Sequence, residues 1–69
     1  MKPVWVVDIN EANIDMDLVL DEYDYPGQNT YIHFDWNDLY TDADHYVWEK
    51  VLEAGLPQYV DEFYLLVWW

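Results

Sequence analysis

The chain lacks cysteine, serine and arginine entirely, and its two lysines stand at Lys2 and Lys50. Without cysteine there is no disulfide framework, no thiolate metal centre and no thiol nucleophile. The missing serine removes a Ser-His-Asp site, and two glycines, Gly27 and Gly55, are too few for a phosphate-cradling loop. No apolar run approaches the ~20 residues that a membrane-spanning helix needs. The apolar segment after Lys2 ends at Asp8, too early for a secretory core, and the missing cysteine staples of small secreted domains make a cytoplasmic location the expectation.

What the chain has in excess is negative charge. Fifteen carboxylates in 69 residues give a formal charge of −13, and twelve of them lie between Pro3 and Glu49, where there is no cation. Self-repulsion of this size works against compactness, which suggests that the charge serves more than solubility. Disorder is the ordinary companion of such a charge. Here five Trp, seven Tyr and two Phe supply the apolar surface that a disordered chain lacks. One domain, residues 1–69, is expected to fold while burying roughly 60% of its extended surface.

Residues 3–9 (Pro-Val-Trp-Val-Val-Asp-Ile) are apolar on both alternating faces, as in a central strand, and residues 10–13 read as an Asn-rich turn. Residues 14–21 are ambiguous. Ile14, Met16, Leu18 and Leu20 alternate as a strand face, while Ile14, Leu18 and Val19 also suit a short helix; alternation covers more residues, so a strand is expected. A Pro26-Gly27 turn then leads into a second clear strand over 30–36, which would form an antiparallel hairpin with the segment before it.

The segment from Thr41 to Gly55 carries the strongest local signals. Thr41 and Asp44 are spaced as a capping box, Asp42 and Asp44 suit the positive end of the helix dipole, and Gly55-Leu56-Pro57 ends a helix over about 42–54. Val47, Trp48, Val51 and Leu52 form its apolar stripe, with Asp42, Glu49 and Glu53 opposite. Residues 63–69 form another apolar run, expected to be a strand buried on both faces and a neighbour of residues 3–9. The fold class is therefore α+β: a small three- to four-stranded sheet with one main helix packed on it.

The candidate site is the carboxylate array itself: Asp15, Asp17, Asp21, Glu22, Asp24, Asp35, Asp38, Asp42, Asp44, Glu49 and Glu53. In most proteins such groups simply keep a surface solvated. Three features favour a recognition role: the size of the imbalance, its spread over several elements, and the aromatics threaded through it. Tyr23, Tyr25, Trp36, Tyr40 and Tyr46 could stack on arginine of a partner, against the plainer reading that core packing claims several of them. Nucleic-acid-binding proteins derive much of their affinity from Lys and Arg on phosphates, and a rigid anionic surface can occupy the same groove.

In size, absence of cysteine, near-absence of cations and segments such as Asp15-Met16-Asp17 and Asp21-Glu22-Tyr23-Asp24-Tyr25, the chain resembles the small DNA-mimic inhibitors of phages and mobile elements. The resemblance is one of character over most of the chain, and it transfers no individual residue's role. It implies a non-catalytic inhibitor in the host cytoplasm that binds a basic DNA-binding host protein: a nucleoid protein, defence nuclease, repair enzyme, or polymerase and its factors. Direct nucleic-acid binding is not expected. The alternative is a partner-specific adaptor or antitoxin-like module docking through aromatics, with acidity serving solubility.

Other chemistry fares worse. Counted from Asp42, an EF-hand would place Asp44 and Glu53 correctly but needs Gly where Val47 stands. His33 and His45 are isolated imidazoles among acids, and acid pairs such as Asp35 and Asp38 arise by chance in so acidic a chain. No metal or cofactor is expected. Trp68-Trp69 invites a sticky terminal edge and hence a homodimer, against burial of Trp68 in the sheet.

Overall fold

A computed structural model of the protein describes residues 5–23 and 28–69. The elements are β1 (Val6–Asp8), α1 (Met16–Glu22), β2 (Thr30–Asp35), a short 3₁₀ turn (Trp36–Asp38), α2 (Asp42–Glu53) and β3 (Glu62–Val67). This is an α+β fold with a three-stranded mixed sheet in the order β1-β3-β2. β1 runs parallel to β3, with Val6, Val7 and Asp8 opposite Tyr64, Leu65 and Leu66. β2 runs antiparallel to β3, from Thr30 opposite Val67 to Asp35 opposite Glu62.

Helix α2 forms where its caps predict. The Thr41 hydroxyl accepts from the Asp44 N–H at 3.1 Å, and the Asp44 carboxylate accepts from the Thr41 N–H at 3.3 Å. At the other end Leu56 N–H reaches the Val51 carbonyl and Gly55 N–H the Leu52 carbonyl, a Schellman closure. It requires the left-handed backbone that Gly55 adopts at φ 113°.

Where a strand over residues 14–21 was expected, the chain forms the helix Met16–Glu22. Asn13, at φ 55°, closes the preceding turn, and the Asp15 carboxylate caps the helix by accepting from the Asp17 N–H at 3.0 Å. Packing decides the matter: the helix buries Val19 completely, whereas strand alternation would have turned it outward with the acids. The expected hairpin between this segment and β2 therefore does not exist, and β2 pairs with β3. The Pro26-Gly27 turn lies outside the described residues.

The two terminal apolar segments are neighbours, but neither is buried on both faces. β1 is an edge strand with Val6 51% exposed. β3 is central, yet Phe63, Leu65 and Val67 are buried while Tyr64 and Trp68 are exposed and Leu66 is half-buried. Alternation of this kind means that both helices cover one face of the sheet and that the described residues leave the other open. The apolar look of residues 63–69 misled because the outward positions carry Tyr and Trp, whose polar tips tolerate water. Trp68, expected to be buried, instead lies on the open side, its indole N–H donating to Asp8 Oδ2 at 2.8 Å.

The core lies between the layers. Phe63 stacks on Phe34 with ring centroids 5.3 Å apart and meets Trp48 at 5.1 Å, which ties β2, β3 and α2 together. The radius of gyration is 11.2 Å.

Candidate partner-binding surface

The helical layer carries two rows of acids. On α1, Asp17 and Asp21 are exposed at i,i+4; on α2, Asp42, Glu49 and Glu53 are exposed on one stripe that spans about 16 Å along the axis. Asp15 and Glu22 flank the first row and Asp38 precedes the second, all exposed, while Asp35 is half-buried. Like charges at i,i+4 destabilise a helix by a few tenths of a kcal/mol per pair. Lys50, half-buried on α2, answers Glu53 at 3.8 Å. Asp24 and Tyr25 lie outside the described residues.

Asp44 does not belong with the surface array. It is 9% exposed, and its oxygens accept from the Tyr23 hydroxyl, the Tyr40 N–H at 3.0 Å and the Thr41 N–H. Burial alone would raise its pKa, but these hydrogen bonds outweigh burial and hold it below the ordinary carboxylate value. Burial, then the hydrogen bond and charge of Asp44, push the Tyr23 hydroxyl far above 10. Both groups serve the fold: Tyr23, at the end of α1, reaches Asp44 in the first turn of α2.

The aromatics divide in the same way. Tyr46 is half-buried and its hydroxyl accepts from the Asp15 N–H at 3.3 Å, a second tie between the helices. Tyr23 is half-buried and packs edge-on against Phe34. Trp36 and Tyr40, by contrast, are 55% and 81% exposed. Tyr40 donates to Asp38 Oδ1 at 3.1 Å, and that bond, followed by the Asp38 charge, raises its pKa.

Three features escaped sequence reasoning. A cleft of about 200 Å³ opens between Trp36, Trp48, Leu52, Tyr59, Val60 and Asp61. The uncovered sheet face presents Val6, Tyr31, Tyr64 and Trp68. On that face the register brings His33, Asp35 and Glu62 together, with ligand atoms all within 4.8 Å of one another and His33 Nε2 at 3.2 Å from Glu62 Oε2. Such a nitrogen-and-oxygen set could hold a divalent ion, although a His33–Glu62 hydrogen bond accounts for the same geometry. The i,i+2 spacing of His33 and Asp35 was the one signal in the sequence; Glu62 joins them through long-range pairing.

Among the described residues no helix is long and apolar enough to cross a membrane. No protein-family model, curated protein or solved structure is similar to the chain.

Proposed function

We propose that the protein is a non-catalytic inhibitor that binds a basic nucleic-acid-binding host protein in the cytoplasm, its carboxylates standing in for phosphates. The observation that carries this reading is the pair of exposed acid rows on neighbouring helices, with Asp17 and Asp21 on one and Asp42, Glu49 and Glu53 on the other. They are mounted on short, capped helices over a stacked aromatic core, so their spacing is held without a partner. A cationic groove that normally pairs with phosphates would gain the same ion pairs and release the same counterions.

The test is capture of basic proteins from a bacterial lysate at two salt concentrations, with duplex DNA as competitor. Capture should fall steeply with salt, be displaced by DNA, and be lost in Asp17→Lys/Asp21→Lys or Glu49→Lys/Glu53→Lys variants. Capture indifferent to both salt and charge reversal would end the proposal.

The open sheet face favours a second reading. Tyr31, Tyr64 and Trp68 are more exposed than a finished two-layer domain requires, and an adaptor could dock through them. Tyr31→Ala or Tyr64→Ala would then abolish capture while charge reversal left it intact.

A further inference from the structure

The cleft beside the 3₁₀ turn combines features that the acid rows do not. Trp36 opens the turn, Trp48 and Leu52 come from α2, and Tyr59 and Asp61 come from the loop before β3. The Trp36 N–H donates to the Asp61 carbonyl at 2.8 Å, which pins the turn to that loop. The Trp36 and Trp48 rings lie 5.4 Å apart and inclined at 55°, so they form two non-parallel aromatic walls. Trp48 is buried, but Trp36 is 55% and Tyr59 81% exposed. An indole and a phenol are thus held in water beside a carboxylate-bearing residue, with Asp35 and Asp38 flanking Trp36 in the chain.

The field of a molecule at −13 repels an anionic occupant and attracts a cationic one. Aromatic faces are negative and bind cations, and the planar, weakly hydrated guanidinium stacks on them better than the compact lysine ammonium does. We propose that this cleft is an anchor for a single arginine side chain of the partner, its guanidinium stacked on Trp36 and Tyr59 within the negative field of the molecule. The proposal rests on the reading of the protein as a ligand of a basic partner and names the residue of that partner which it grips.

The experiment uses the full chain, ¹⁵N-labelled, titrated with N-acetyl-arginine-N-methylamide and in parallel with the uncharged citrulline analogue. Saturable shifts at the indole N–H groups of Trp36 and Trp48 and at the Tyr59 amide are expected. Arginine should be preferred over citrulline by about 5-fold. Trp36→Ala and Tyr59→Ala remove exposed rings, so folding should survive, as circular dichroism would verify, while the arginine shifts weaken by a similar factor. Equal binding of citrulline, shifts spread unsaturably over the acidic helices, absence of any saturable shift, or indifference of both variants would each overturn the proposal. The two readings fail separately. Loss of arginine binding with salt-sensitive, DNA-displaced capture retained removes the anchor alone; arginine binding retained while DNA fails to compete removes the phosphate mimicry alone.

Discussion

Replacing Tyr23 with Phe deletes one oxygen and keeps the edge-on contact with Phe34, whose ring centroid lies 5.4 Å away. What is lost is the hydrogen bond to the Asp44 carboxylate, which joins the end of α1 to the start of α2. A hydrogen bond to a charged group is worth about 1.5–3 kcal/mol when fully shielded; with Tyr23 half-buried, about 1–2 kcal/mol is expected. In a domain of this size each kcal/mol moves the melting temperature by about 4–8 °C, so Tyr23→Phe should melt roughly 4–16 °C lower. Thermal unfolding of Tyr23→Phe, Asp44→Asn and the double variant isolates the bond: the double should cost less than the sum of the singles. The pH limbs test it again. The folded pKa of Asp44 is depressed, so its contribution is present above the unfolded value near 3.9 and is lost as pH falls through the folded value. Tyr23 is shifted the other way, so its contribution is full below about pH 10 and fades as pH climbs through its raised folded value. Strictly additive variants, or a change in melting temperature under about 2 °C for Tyr23→Phe, would refute this account.

Four further outcomes are expected. Val19→Gln should unfold the domain by burying an unpaired amide, whereas Leu20→Gln should change stability by less than about 1 kcal/mol; the reverse order would restore the strand reading of residues 14–21. Gly55→Ala meets no atom within 4 Å, so its cost should be the left-handed backbone alone, about 1 kcal/mol by urea denaturation, and a neutral result would refute the Schellman account. Phe63→Ala, which removes the ring joining Phe34 and Trp48, should cost about 3–5 kcal/mol and leave little cooperative unfolding in calorimetry. Moderate salt should raise the melting temperature by screening the acid rows; a flat response between low and physiological salt would mean that their repulsion is negligible.

Some of this architecture is written in short stretches of chain. The α2 helix depends on Thr41, Asp44, Gly55 and Leu56, each acting on backbone groups within five residues of itself, so its limits are readable without knowing any other element. The charge imbalance, the absence of thiol and serine chemistry, and the strand over Thr30–Asp35 are local properties too. Residues 14–21 satisfied two periods at once. In the fold Asp15 caps a helix there, and the burial of Val19 against the rest of the core settled the choice.

The sequence reached the neighbouring of the two terminal segments but not the rest of the pairing. That β3 lies between β1 and β2, that the described residues leave one sheet face bare, and that Asp44 turns inward while Asp42 stays out all depend on contacts between residues far apart in the chain. The cleft has the same origin, since Trp36, Trp48 and Tyr59 meet only once the 3₁₀ turn is bonded to the loop before β3. Composition and local hydrogen bonding determined what this protein is made of and where its main helix runs. Burial, which is a property of the assembled layers, decided which acids and rings face solvent.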